Sequence, residues 1–422
     1  MTETPDGDAA ATPDGETPTG SRDDAAVYRR RRTAVGLGLV AFVAAVVATV
    51  ASTAGGGADR VGSVAATTTS AATTTTTPAT TTTATTSTTT TTTTTTSSTT
   101  TTTTTTTLPP PTTILDGAGI PVWPPYELAG PLDGVAALLG SPADESITGR
   151  PILAVKIDNR PQGRPQWGLD VADVVIEENV EGITRFVALF HSQLPDRAGP
   201  VRSARTGDLD LLAGMNRPVL AWSGGNPGVT RWVGSAAAAG VLVDFSAQFN
   251  PCYQRTSSRR APHNLLLDPA CAVTTAIEPG PARPLWTFDE AWTPPEGFVV
   301  GADTTFDVGM DNLIAGWRWD PELGVYLRSQ NGNRHVGVSG AQITASNVVV
   351  VRTAHPPSTV DARSPNPITV GFGQATIHRD GLAIEGAWTR ASPYDPFVFI
   401  DPASGEPIPL DTGRTFVELA RT

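Results

Sequence analysis

The sequence predicts an α+β protein, with a mixed α/β domain over residues 115–284 followed by a mostly β domain over residues 285–422. Three observations lead there. Apolar strand-like runs interleave with helical patterns in the first of these regions. After about residue 285 short β-type runs succeed one another, separated by turn residues. Before residue 115 there is no globular pattern, so of the 422 residues only the later part is expected to build a core.

Taken in order, PILAVKID (151–158) is an apolar run ending in polar residues, which reads as a buried strand. ADVVIEENV (172–180) and TRFVALFHS (184–192) read as two more. DLDLLAGMN (208–216) is helical in pattern, PVLAWSGG (218–225) is a strand, and VTRWVGSAAAAG (229–240) is a helix that ends at Gly240. In the second region the runs WRW (317–319), VYL (325–327), NVVVVR (347–352), ATIHRDG (375–381), AIEGAWTR (383–390), PFVFID (396–401) and TFVELA (415–420) read as strands. Arg379-Asp380-Gly381 is a turn signal between two of them.

The N-terminal part predicts a membrane tether. Residues 1–32 form a polar, Gly/Pro-rich tail expected to be disordered and cytoplasmic. Thr33 to Thr53 carries no charge and is long enough to cross the hydrocarbon core as one helix. Arg29 to Arg32 stand just before it, and the following stretch is poor in positive charge. The positive-inside rule then places the N-terminus in the cytoplasm and the folded domains outside the cell membrane. The run is long for a signal peptide, so a retained anchor is expected over cleavage near Ser52-Thr53-Ala54. Residues 54–114 are a Thr-rich stalk that has nothing to bury and cannot offset its ordering entropy.

The formal net charge of −12 argues against non-specific binding to nucleic acid or anionic lipid. Lys156 is the sole lysine, a bias that reads as genome composition and not as chemistry. No zinc spacing, HExxH, GxSxG elbow, dinucleotide fingerprint or phosphate-loop Lys-Ser/Thr is present, so neither a metal nor a cofactor is expected. Outside the membrane, Cys252 and Cys271 are expected to pair as a disulfide.

The ordered series IDNRPQGRPQWGL (157–169), ADVVIEENVEGITRFVALF (172–190), GPVRSAR (199–205), APHNL (261–265), GWRWDPELGVYLRS (316–329), NRHV (333–336) and PLDTGRTFVEL (409–419) resembles the YerB-like family. These bacterial proteins are candidate lipoproteins of unknown function. The resemblance covers most of residues 118–421 and implies a two-domain, envelope-exposed protein, without supplying an activity. A helix and Thr stalk here replace the family's lipidated cysteine, and the two cysteines look like a local addition.

Several residues are candidates for chemistry. Asp158, Asn159 and Arg164 follow the first strand, where open α/β sheets bind ligands, although turn sequences explain them as well. On an extended strand Glu177 and Glu181 share one face, as a hydrolase or transferase would need, yet both could equally pair with arginine. Arg202 and Arg205 precede a helical pattern and, with Arg185, could clamp a carboxylate or phosphate. His263 and Asn264 lie between the two cysteines, whose bond would restrain that loop. The Gly-rich WSGGNPG (222–228) is a weak anion cradle or a tight turn. Trp317, Trp319 and Trp388 are expected to fill the β core. The expected function is binding of a cell-wall component, peptidoglycan or a wall polymer, through Asp158, Glu177, Arg185, Arg202, Arg205 and His263. The alternatives are an envelope adaptor and a wall-modifying enzyme with Glu177, Glu181 or His263 at its centre.

Overall fold

The computed structural model describes residues 114–422, Pro125 excepted. The expected tail, membrane helix and nearly all of the stalk lie outside these residues. Among the described residues no helix is long and apolar enough to cross a membrane.

The chain first lays down a short helix, α1 (Glu145–Thr148), and strand β1 (Leu153–Asp158). The hairpin β2 (Val174–Val180) and β3 (Ile183–Phe190) follows, then α2 (Thr206–Leu212), β4 (Val219–Trp222), α3 (Pro227–Ala238) and β5 (Val243–Ser246). A small hairpin, β6 (Tyr253–Arg255) with β7 (Leu265–Leu267), leads to α4 (Pro269–Thr275). From there the chain is all strand. β8 (Val300–Ala302), β9 (Thr305–Met310), β10 (Leu313–Asp320), β11 (Val325–Gln330), β12 (Asn333–Arg334) and β13 (Thr344–Ala345) come first. β14 (Asn347–Thr353), the hairpin β15 (Pro357–Ser358) with β16 (Asp361–Pro365), β17 (Gly371–Arg379), β18 (Leu382–Arg390), β19 (Val398–Ile400) and β20 (Thr415–Arg421) complete it.

Local chemistry accounts for the boundaries. Asn226 caps α3 by accepting the Val229 N–H at 2.9 Å, and Pro227 sits where the first helical turn needs no donor. Asp268 caps α4 in the same way through Cys271. Glu181 and Gly182 adopt positive φ, 52° and 76°, so β2 turns directly into β3. Asp380 and Gly381 do the same between β17 and β18, as the turn signal predicted.

The main sheet has eleven strands in the order β19-β18-β17-β14-β20-β2-β3-β1-β4-β5, with β8 also paired to β18. The C-terminal strand β20 runs parallel to both β14 and β2 and lies between them. One sheet therefore spans residues 115–284 and 285–422. The last strand can take this place because TFVELA is buried on both sides, as a central parallel strand must be. Over the described residues as a whole, strand outweighs helix. In the first region β1, β3 and β2 are antiparallel neighbours, and the parallel pairs β1–β4 and β4–β5 complete a mixed sheet.

Side-chain alternation gives the main sheet two apolar faces. One packs under α2 and α3 through Leu209, Leu212, Trp232 and Val233. The other meets a five-stranded sheet, order β12-β11-β10-β9 with β13 on β11, through Trp317, Tyr326, Ile343 and Phe416. Trp317 and Trp388 are core residues, 1% exposed, as the sequence predicts.

His191, just after β3, is fully buried. Burial pulls its imidazole down to about 4. The unfolded chain takes up that proton near the ordinary 6.5, so this contribution is intact above pH 6.5 and lost as pH falls toward 4. His191→Leu is expected to remove about 3 kcal/mol of acid sensitivity between pH 8 and pH 4. Urea titrations of both proteins across that range test it, and parallel stability profiles would refute it.

Candidate functional site

Two polar clusters sit at the same end of β1 and β2, on opposite faces of the sheet. The strand register decides which residue joins which. On β1, Lys156 and Asp158 point toward the helices; on β2, Glu178 does, while Glu177 points toward the second sheet. Glu177 and Glu181 do not share a face, contrary to the sequence expectation. β2 ends at Val180, and Glu181 lies in the turn that follows, where its carboxylate meets Arg205.

The helix-side cluster is assembled by strand-like crossings. The segment 198–202 runs beside the end of β1: Asp158 N–H donates to Pro200 O and Arg202 N–H to Lys156 O, both at 2.9 Å. The 265–267 strand lies against it in turn, with Val201 N–H donating to Leu265 O at 2.7 Å. The Gly-rich loop after β4 is tied on by Ser223 N–H to Arg202 O at 2.9 Å. These pairings bring Asp158, Arg202 and His263 together.

Asp158 is the hub. Its buried Oδ2 takes the His263 Nδ1 at 2.6 Å and lies 3.4 Å from Arg202 Nε. Its Oδ1 accepts the Arg160 N–H at 3.0 Å. Gly163 permits this packing, since a Cβ there would fall 2.9 Å from the Asp158 Cβ and carboxyl carbon. Arg185 sits directly across from Asp158 on β3 and donates to Ser203 O at 3.1 Å. Arg205 donates to Glu181 Oε1 at 2.8 Å, and Ser364 of the β15–β16 hairpin reaches the same oxygen at 3.2 Å. The three arginines crowd one another. Burial and then the positive charges of Arg205 and Arg202 pull Arg185 down to about 10. Burial also lowers Arg202, against the pull of Asp158. The Nε atoms of Arg185, Arg202 and Arg205 are enclosed and have no hydrogen-bond partner.

Below the arginines lies a buried group that no sequence motif marks. Lys156, fully buried, bonds both Glu178 and Asp208, the latter at 2.8 Å. Asp208 also accepts the Arg205 N–H at 2.7 Å, which starts α2. Burial and the neighbouring Glu178 raise Asp208 to about 6, against the pull of Lys156. One signal was available: a lone lysine in a run otherwise apolar enough to be buried on both faces must find carboxylates there.

On the opposite face, Glu177 pairs with the fully buried Arg328 of β11. Asn159 donates to Glu177 at 3.1 Å and to Thr184 at 2.7 Å. Arg328 donates to Nδ1 of His335, whose Nε2 meets Gln166 Oε1 at 2.9 Å, an arrangement that suits a neutral ring. Burial first, and then Arg328, hold His335 well below its ordinary value. Glu418 of β20 is raised well above the carboxylate range by burial and by Glu177, and it accepts the Trp317 Nε1–H at 3.1 Å. This cluster is enclosed between the two sheets, so Glu177 and Asn159 do not belong to the arginine site.

The remaining predicted residues brace the surroundings. Asn264 bonds Thr256 O and Arg259 O at 3.1 and 3.2 Å and receives Arg255 at 2.8 Å, so it shapes the loop and does not face the site. Arg164 is lowered by burial and feels Arg328 as well as Glu177 and Asp158, a position beside both clusters. Cys252 and Cys271 form the expected disulfide, with Cα atoms 5.7 Å apart. Among the described residues no group of three or more His, Cys, Asp and Glu could hold a metal ion.

Two family models match this architecture. Residues 138–279 match the N-terminal domain, and residues 305–417 the C-terminal domain, of the protein of unknown function DUF3048. This chain belongs to the DUF3048 family. Every residue of both polar clusters but Glu418 falls inside those two matches, and Glu418 lies one residue past the second. The family's YerB protein from Bacillus subtilis (strain 168), a candidate lipoprotein by name, is 28% identical over 296 residues, covering 67% of this chain and 85% of YerB. The crystal structure of YerB superposes with a TM-score of 0.56 at 25% identity, over 68% of this chain and 96% of that one.

Proposed function

We propose that this DUF3048 protein is a membrane-tethered extracytoplasmic binder of an anionic cell-wall component, held at the cluster of Arg185, Arg202 and Arg205. The observation that carries the reading is electrostatic. Three guanidinium groups are gathered at one place: burial first, and then the charges of Arg205 and Arg202, depress Arg185, and the Nε atoms of Arg185 and Arg205 have no hydrogen-bond partner. A bound carboxylate or phosphate would relieve that repulsion, because guanidinium takes such groups bidentately. Muropeptide carboxylates and wall-polymer phosphates have this chemistry. The lipoprotein description of YerB supports the compartment, and the uncharged run at 33–53 with its preceding arginines supports the tether.

Pelleting of the full-length protein with purified peptidoglycan tests the reading. Arg202→Ala and Arg205→Ala are each expected to weaken binding about tenfold or more, the worth of one charge-assisted hydrogen bond. Equal pelleting of all three proteins, or of none, removes the proposal.

A further inference from the structure

Asp158 and His263 form an ordered pair beside the arginine cluster. Asp158 is 0% exposed at its side chain and bonds Nδ1 of His263 at 2.6 Å, while His263 remains 15% exposed. With the Nδ1–H donated to the carboxylate, the ring is fixed in one tautomer. Nε2, which has no partner among the described residues, then presents its lone pair outward. Arg202 meets the same Asp158 oxygen through Nε at 3.4 Å and donates through Nη1 to Pro262 O, the residue before His263, at 3.4 Å. The imidazole and the nearest guanidinium are thus neighbours, both aligned by one carboxylate.

A carboxylate held by arginine is a recognition group and is not itself the centre that a hydrolytic base activates water against. In a phosphate ester the anion is itself the reacting centre, so guanidinium on its non-bridging oxygens places phosphorus next to whatever lines the site. We infer that the arginine cluster with the Asp158–His263 pair is a hydrolytic site for phosphate esters. This rests on the anion-binding reading of the same cluster and adds an activity to it.

The step balances with water alone. His263 Nε2 takes a proton from water as the water oxygen forms its bond to phosphorus. The phosphorus–oxygen bond to the leaving alcohol breaks, and that oxygen keeps the electron pair. The imidazolium returns its proton to the alkoxide. One ester and one water give one alcohol and one phosphate, and His263 ends neutral. Arg185, Arg202 and Arg205 offset charge on the phosphoryl oxygens. Asp158 is a positioning residue that holds the tautomer and stabilises the transient imidazolium.

The test uses the full-length protein with bis(para-nitrophenyl) phosphate, a diester, and para-nitrophenyl phosphate, a monoester, following nitrophenolate release. Turnover of either probe is expected, and the preferred one identifies the ester class. His263→Ala is expected to lower turnover about a hundredfold or more, in the range of a lost acid–base group. His263→Gln, which keeps a polar side chain, should be equally slow. Absence of turnover of both probes by wild type, or undiminished turnover by both His263 variants, overturns the inference. Pelleting without turnover would end this inference and leave the binding reading standing. Turnover without pelleting would do the reverse.

Discussion

Arg328→Met is expected to destabilise the folded protein by about 3–5 kcal/mol, the cost of stripping one partner from a buried ion pair. Arg328 and Glu177 are both fully buried between the two sheets, and no water reaches them to replace the lost charge. Glu418 cannot compensate, since it is already pushed toward its protonated form by burial and by Glu177. Arg328 also donates to Gln330 at 3.1 Å and bonds His335, so the change strands several buried groups at once. Removing the other charge as well, in Arg328→Met with Glu177→Leu, is expected to recover most of the loss, because two neutral groups leave no uncompensated charge. Urea midpoints of the single and double variants measure this. A single variant within 1 kcal/mol of wild type would show that the pair does not hold the sheets together.

Lys156→Met is expected to cost a similar 3–5 kcal/mol at pH 8, for a different reason. It leaves Glu178 and Asp208 buried against each other without a cation. Asp208 already stands at about 6 with the lysine present, and without it the carboxyl rises further. A carboxyl raised in the folded state carries its full penalty above that raised value and loses it on protonation as pH falls. The deficit should therefore shrink between pH 8 and pH 5. Urea titrations of wild type and variant at those two pH values decide it, and a deficit of the same size at both would contradict the account. Because Asp208 also holds the Arg205 N–H at 2.7 Å, the variant should lose peptidoglycan pelleting too.

Much of the fold was legible because its signals are local. The strand runs at 151–158, 172–180 and 347–352 are apolar over their length, and a chain cannot leave such runs in water. The helix at Pro227–Ala238 is bounded by an Asn-Pro start and a glycine end. The turn at Asp380-Gly381 needs positive φ, which its sequence favours. Of the candidate site, Asp158, Arg185, Arg202, Arg205 and His263 were all named from their motifs, and the structure brings them to one place.

Where the structure departs from the sequence pattern, the cause is pairing between distant segments. Strand alternation puts Glu177 on one face with Glu181, beside the arginines, whereas a turn one residue past Val180 sends the two carboxylates to opposite faces. In the sequence Lys156 reads as genome composition, and nothing local marks Arg328 or Glu418. Each of their partners is distant in sequence: Asp208 is 52 residues from Lys156, and Glu177 is 151 from Arg328.

By itself the sequence determined which segments are apolar enough to become strands, where turns fall, and which polar residues stand at strand ends. These follow from burial and backbone preference, which act on neighbours along the chain. The tertiary structure alone decided that the last strand, β20, enters the middle of the main sheet and joins the two regions. It also decided that three arginines gather on one face while Glu177 meets Arg328 on the other. Pairing between distant segments depends on register and on charge compensation in a dry interior, and both act through space and not along the chain.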